Sequence, residues 1–362
     1  MPRINTIHQP AEIKNFILNG ALDFWQEKVG TTTTINTATT SSPFIADMLK
    51  SISVGSTTKN YSVVRSTDIP TVAQSGFQST YSALFTMVTG ITSPAATDYV
   101  TPFAYLMEGF DYSKVHSKTV TIGFWLKASI AGTYSVALQN SAGTRSYVTT
   151  VTVVNPNTWE FKAVTVTLDS SGTWLFDTSV GLGLFIGTVS GANSQTATLN
   201  QWQTGSYLSA STATNYQATS GATVRIAQLS MIEGSLGLGP MGFQRAGKSI
   251  QQELAMCQRY YFKTDASVVG ACGPAPTTTS CYISMRYPIP MRAVPSLSGT
   301  TGTYGINNNG NFASSSTTPS AAAAEATGGI WLITGFTGLT TTMVYQLTTV
   351  SSTGALIADA RL

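Results

Sequence analysis

The chain has 362 residues, 42% of them hydrophobic and only 10% charged, with a formal net charge of +3. That length exceeds one ordinary β-sandwich and suits two domains plus a terminal segment. Charge is far below the roughly 25% usual for soluble domains, so Thr, Ser, Asn and Gln must supply the polar surface. Lys and Arg are scattered and form no basic stripe, which argues against a nucleic-acid partner.

In chain order, Met1–Leu18 has few core residues and reads as an extended N-terminal arm, held in place by a neighbouring protein. It lacks the continuous apolar stretch of a secretory signal, and no run in the chain reaches transmembrane length, so membrane insertion is not expected. Residues 19–234 carry mostly strand signal. The uncharged tract Thr31–Ser42 reads as a loop or as a strand with a long lead-in. Val120, Ile122, Phe124 and Leu126 alternate with Thr121, Gly123, Trp125 and Lys127. Tyr134–Gln139, Tyr147–Val154, Phe161–Leu168, Val180–Val189 and Ala222–Ile232 come next at short intervals. No amphipathic helix separates them, which favours a sandwich over βαβ units.

Residues 235–262 form a linker and one short helix. Gly234–Gly247 is glycine-rich, and Ile250, Leu254, Cys257 and Tyr261 then fall on one helical face over Ser249–Tyr261. At under two heptads this helix either sits on a symmetry axis or packs beneath a sheet. Residues 263–362 return to β-structure. Cys281–Tyr287 alternates, and Pro288, Pro290 and Pro295 push the next stretch of chain to an edge or loop. Gly302–Ser320 reads as a polar loop. Trp331–Thr334, Met343–Thr349 and Ala355–Leu362 supply later strands. The fold class is therefore all-β: a jelly-roll sandwich, a short helix and a second, smaller β-sandwich.

Three cysteines, Cys257, Cys272 and Cys281, exclude a complete disulfide framework. A Cys272–Cys281 bridge across a hairpin stays open beside the reading of three small buried hydrophobes.

Several segments together resemble a known family. Asn19-Gly20, Phe24-Trp25-Gln26, Ile45-Ala46-Asp47, Val120–Ala128, Trp159 and Ile232-Glu233-Gly234 resemble the carbohydrate-binding-like jelly rolls of bacteriophage tail fibres and related virion proteins. Glu253–Tyr261 is similar to the helix that leads into a C-terminal β-domain of such fibres. Arg286–Pro295 resembles a strand and turn of that same domain. The resemblance spans residues 19–362 and departs at two places. Met48-Leu49 stands where the family often has Arg-Trp, so one aromatic anchor is missing. Gln228 stands where calcium-dependent members want an acidic residue, so neither calcium nor any other cofactor is expected.

The resemblance implies a phage structural protein, made in the host cytoplasm and carried on the virion. It implies a homotrimeric tail fibre or spike subunit, attached to another phage protein by residues 1–18 and contacting host surface polysaccharide. The alternatives are a head fibre or capsid decoration protein without a receptor role, and a glycan-degrading tailspike.

The residues bear on these choices. His8 and His116 lie near no nucleophile signature, and the cysteines do not match zinc spacing, so no catalytic or metal residues are assigned. Glycan cleavage needs two carboxylates. Glu108 and Asp111 are the nearest acidic pair, in a stretch read as a turn, and no fixed-period repeat suggests a β-helix. Gly181–Gly187 reads as a glycine-rich strand, because no helix comes after it. Sugar binding needs flat rings and hydroxyl-reading amides. The candidates are Trp125, opposite the Ile122/Phe124 face, with Gln139 and Tyr147 at similar phase and Trp202 and Tyr207 in a polar loop. Burial of these rings inside the sheets or in a subunit interface is the competing reading. Ile250, Leu254, Cys257 and Tyr261 are the candidate oligomer contacts.

Overall fold

The computed structural model describes residues 14–234, 239–240, 242–264, 271–350 and 354–362. The chain forms two compact units, one of residues 1–23 and 30–250, the other of residues 24–29 and 251–362. In both, the regular secondary structure is almost wholly β-strand.

The first unit contains two antiparallel sheets. One has six strands in the spatial order Thr33–Thr37, Lys59–Ser66, Ser82–Thr89, Thr223–Glu233, Thr119–Ala128 and Glu160–Thr167. The other runs Trp202–Thr204, Arg145–Val153, Gly132–Gln139, Val180–Ile186, Tyr99–Glu108, Leu49–Val54 and Phe44–Ala46, with Val189–Ser190 also paired to Tyr99–Glu108. Sequence neighbours are repeatedly split between non-adjacent positions, as in a jelly roll. The sheets face each other: Ser51 of the second donates from its Oγ to the Tyr61 hydroxyl of the first at 3.3 Å.

Alternation explains which residues lie between the sheets. Val120, Ile122, Phe124 and Leu126 are all fully buried, as the period-2 pattern predicts. Leu138, Leu184 and Tyr105 come into register across three neighbouring strands and share a buried face. The reverse face of that sheet is covered as well. Ala104, Ala137, Val148 and Phe185 pack against Leu208 and Ala210, which the chain lays back over the sheet. Strands buried on both faces lose a clean polar–apolar alternation.

The sequence placed Asn15–Leu18 in the N-terminal arm, but the structure buries them in this unit. Asn15 organises them: its Oδ1 accepts from the Ile17 and Met231 amides, both at 2.9 Å, and its Nδ2 donates to the Gln244 carbonyl at 2.9 Å. Residues 1–13, most of the predicted arm and including His8, lie outside the described residues. Gln228 occupies a bulge in the Thr223–Glu233 strand, with φ of 52°. Its Nε2 donates to the hydroxyls of Ser75 at 3.0 Å and Ser79 at 2.9 Å, so this side chain ties a loop to the sheet.

The second unit holds a short sheet ordered Tyr261–Lys263, Leu356–Asp359, Ser296–Gly299 and a seven-stranded one. The latter runs Asn311–Thr317, Gly302–Asn308, Val344–Val350, Cys272–Pro274, Ser280–Arg286, Gly328–Thr334, Ser320–Glu325. Ile283, Tyr304, Trp331 and Leu347 form part of a fully buried core. The stretch Gly302–Ser320, expected as a polar loop, is instead mostly a hairpin. Tyr304 and Ile306 face inward, Thr303 pairs with Ser316 hydroxyl to hydroxyl at 2.9 Å, and Asn309-Gly310, both at positive φ, make the turn. Hydroxyl side chains on the outer face hid the alternation.

The helix forms at Ile250–Gln258. Of its proposed contact face, Cys257 and Tyr261 are buried within the chain, Leu254 is half-buried and Ile250 is exposed. All three cysteines are free thiols. Cys272 pairs in register with Ser284 and is exposed, while Cys281 lies three residues earlier on that strand and is buried, so the open bridge between them is not formed.

Candidate functional site

The residues singled out in the sequence fall in three places. Trp125 lies on the outer face of the six-stranded sheet but is only 5% exposed. Trp159, Phe161 and Ala227 cover it, with the Phe161 ring centroid 5.8 Å away. Trp159 is held there by its Nε1, which donates to Asp68 at 2.9 Å, and Asp68 in turn binds Lys127 at 2.7 Å. Burial alone would raise the Asp68 carboxyl, but the bonds from Lys127 and Trp159 outweigh it and hold the group below its ordinary range. This cluster pins a loop, and its central indole is closed to any ligand.

Gln139 and Tyr207 sit on the reverse face of the other sheet. Gln139 donates to the Ser206 hydroxyl at 2.9 Å, and Tyr207 packs against the layer that covers Ala137 and Val148. Tyr147 and Trp202 do meet, directly opposite each other across a strand pair and on the opposite face from Gln139.

Tyr147 and Trp202 begin a row of rings. Their centroids are 5.6 Å apart, Trp202 meets Trp174 edge-on at 5.6 Å, and Trp174 lies 5.0 Å from Tyr112. Tyr112 stacks on Phe176 at 6.1 Å with the planes only 8° apart, and His116 stands edge-on to both Tyr112 and Phe176. Spacings of 4.5–7 Å are those aromatic pairs favour.

Two loops assemble this row. Glu108 ends a strand, and Gly109–Tyr112 makes one helical turn. The Gly109 amide donates to Ser179 at 2.8 Å and the Phe110 amide to Asp177 at 3.1 Å, zipping this turn to the loop that carries Trp174 and Phe176. A Cβ on Gly109 would lie 2.5 Å from the Leu175 carbonyl oxygen, and one on Gly181 would lie 2.6 Å from the Tyr112 Cβ, so both close approaches require glycine.

Polar bonds fix the rings. Trp174 donates from Nε1 to Ser171 at 2.8 Å, and Trp202 from Nε1 to the Thr167 carbonyl at 2.8 Å. The Tyr112 hydroxyl and His116 Nδ1 are 3.0 Å apart. Burial, seconded by the charge of Asp169, pushes the Tyr112 phenol well above its ordinary range, so it stays protonated. Beneath the row Arg145 binds Asp169, Nε to Oδ2, at 2.5 Å.

The row grades from interior to surface. Tyr112, Tyr147 and Trp174 are buried, Trp202 and His116 are half-buried, and Phe176 is 45% exposed; Phe110, on the turn bonded to the Asp177 backbone, is 50% exposed. Rigidly backed, solvent-facing rings offer flat apolar surface at little entropic cost. Of the acidic pair in this region, Glu108 is buried and Asp111 is bound to Lys114 at 2.5 Å. The exposed members were missed in the sequence because they lie in loops without periodicity. The one signal was large rings, Phe110 and Trp174-Leu175-Phe176, in otherwise Gly-, Ser- and Asp-rich stretches.

No protein-family model matches the chain, and no curated protein matches it. Among solved structures it is similar to the enzymatically active domain of tailspike protein 4 from bacteriophage CBA120, at 11% identity and a TM-score of 0.29. That match covers 61% of this chain and 21% of the other. It is similar to the module TmCBM61 in complex with β-1,4-galactotriose, at 8% identity, covering 61% of this chain and 99% of that one, with a TM-score of 0.28. A family 11 carbohydrate-binding module from Clostridium thermocellum, in complex with a mixed-linked tetrasaccharide, is 13% identical over 55% of this chain and 99% of its own, with a TM-score of 0.29. Scores this low carry no argument about shared function.

Proposed function

We propose that this chain is a structural protein of a bacteriophage particle, a tail-fibre or spike subunit that contacts host surface glycans through its first unit. The observation that carries the glycan contact is the graded aromatic row, with Phe176 and Trp202 presented to solvent on a buried, hydrogen-bonded base. Pyranose rings bring a flat face of C–H bonds, which stacks on such surfaces and tolerates a low-charge surround. The virion assignment rests on the sequence resemblance of Glu253–Tyr261 and Arg286–Pro295 and on the charge-poor composition. Of the arm, residues 1–14 join the subunit to the particle, since Asn15–Leu18 are buried in the first unit, and the subunit is a homotrimer. On this reading the chain binds without cleaving; of the acidic pair near the row, Asp111 is bound to Lys114 and Glu108 is buried.

The test is binding of the isolated chain to an array of bacterial surface polysaccharides. A glycan that binds wild type and is lost in Phe176→Ala supports the reading. Binding unchanged in Phe176→Ala and Trp202→Ala removes the row from the site. Release of reducing ends from a bound polysaccharide overturns the non-enzymatic assignment. Labelling of the chain on the capsid instead of the tail favours the head-fibre or decoration alternative.

A further inference from the structure

The second unit carries a notch of about 210 Å³ in the outer face of its seven-stranded sheet. Ser284, Arg286, Ala323, Glu325, Gly328 and Ile330 line it, among others. Strand alternation puts these positions on one face, because Ile283 and Trp331, next to Ser284 and Ile330 in sequence, turn into the core. Register then sets them in two rows across three strands. Ser284, Ile330 and Ala323 lie opposite one another in the first row, and Arg286, Gly328 and Glu325 in the second.

The second row makes the notch. Its middle position has no side chain, and the backbone leaves no room for one: a Cβ on Gly328 would lie 2.8 Å from the Met285 carbonyl oxygen. Exposed charged side chains stand on either side, their strands separated by two inter-strand steps of about 4.8 Å each. Arg286 makes one long contact, from Nη1 to the Thr327 hydroxyl at 3.5 Å, which leaves most of its guanidinium donors available. Glu325 has no hydrogen-bond or ion-pair partner among the described residues. One side of the notch therefore donates and the other accepts. Between them the half-buried Ile330 and the small Ala323 border a strip of bare backbone.

We propose that this notch binds a neutral pyranose unit of a glycan. The C–H face of the ring lies on the Gly328 strip against Ile330 and Ala323. Hydroxyls at one edge accept from Arg286, and hydroxyls at the other edge donate to Glu325. The two charges sum to zero, which suits a ligand without net charge better than an anion or a cation. The volume is below the roughly 300–1,000 Å³ of pockets for drug-sized ligands, which suits a single ring. This contact lies in the second unit and does not depend on the aromatic row of the first.

The test is calorimetric titration of the full chain with galactose, glucose and mannose tetramers, and with a Lys-Gly-Gly-Glu peptide. In a Phe176→Ala background at least one tetramer is expected to bind, with affinity little changed by added salt. That affinity should fall about tenfold on adding Glu325→Ala or Arg286→Ala. Both side chains are exposed, so an unchanged melting temperature certifies the fold of each variant. Equal tetramer affinity with and without these two side chains overturns the proposal. Salt-sensitive binding of the peptide alone, lost in both variants, overturns it in favour of a polypeptide partner. The two readings fail separately. Tetramer binding lost in Phe176→Ala, with none remaining for Glu325 to affect, sinks the notch and keeps the row. Tetramer binding untouched by Phe176→Ala but weakened in Glu325→Ala sustains the notch where the row fails.

Discussion

Arg361 and Glu27, from opposite ends of the chain, meet Nη1 to Oε2 at 2.6 Å inside the second unit. The same guanidinium binds Asp359 through Nη2 at 2.6 Å and lies 4.0 Å from the centroid of the Tyr261 ring. Only 7% of the Arg361 side chain is exposed. One planar cation thus joins the last strand, the strand after the helix and a segment near the N-terminus.

Removing that cation takes an ionic partner from Asp359 and one of two from Glu27, which keeps Lys28, and uncovers the Tyr261 ring face. Arg361→Ala is expected to destabilise the second unit by about 2 to 4 kcal/mol, with Arg361→Lys retaining part of the loss. Denaturant unfolding, tracked by signals assigned to each unit, checks this. A variant that shifts both transitions equally, or neither, contradicts it.

Acid should act on the same contact. Burial by itself would raise the Glu27 carboxyl, but Arg361 and Lys28 outweigh it, so the folded value lies below the ordinary 4.5. The unfolded chain therefore takes up the proton first as pH falls. The stabilisation is fully present above about 4.5 and is lost progressively below it, as pH falls through the folded value. Glu27→Gln is expected to flatten the acid limb of the second unit's stability profile. An identical acid limb in wild type and variant would exclude Glu27 as its source.

The aromatic row separates stability from binding. Phe176 is nearly half exposed, so Phe176→Ala should cost about 1 kcal/mol or less in unfolding while weakening glycan binding about tenfold. Trp202→Ala removes two ring contacts and the bond to Thr167, and should cost about 2 to 3 kcal/mol as well as binding. Trp125→Ala should lower stability by a comparable amount, with no effect on glycan affinity in the folded fraction. Paired melting curves and titrations distinguish the three.

The thiols should differ in reach. Cys272 is exposed, whereas Cys257 and Cys281 are buried, and burial together with the neighbouring Cys272 pushes the Cys281 thiol up to about 11. A thiol reagent at mildly alkaline pH should label Cys272 alone in the native chain and all three in denaturant. Rapid native labelling of Cys281 would show that its strand opens.

How much of the fold was readable in advance depends on what side chains reveal about their surroundings. Val120–Leu126 alternated openly because one face of that strand packs against the other sheet. The Gly302–Thr317 hairpin did not, since Thr303, Ser314 and Ser316 face solvent with hydroxyls that read as loop. Strand phase brought Tyr147 to notice, yet phase gives only a side of the sheet and not what covers it, which is how Trp125 could be a candidate while buried under Trp159. Tyr112, Trp174 and Phe176 come together through backbone bonds between two loops, from Gly109 to Ser179 and from Phe110 to Asp177. Nothing in the local spacing of either loop encodes that meeting.

The segment Phe24–Val29 belongs to the second unit, although the chain before and after it belongs to the first. Within it Trp25 is 3% exposed and Gln26 donates to the Tyr261 carbonyl at 3.2 Å. Genetic exchange between related chains meets this as a constraint. A single crossover near residue 250 would transplant the C-terminal strands without the six-residue segment that carries the Gln26 bond to Tyr261, the Glu27 pair with Arg361 and the buried Trp25. The second unit is inherited intact only through a double crossover, or alongside a matching N-terminal segment.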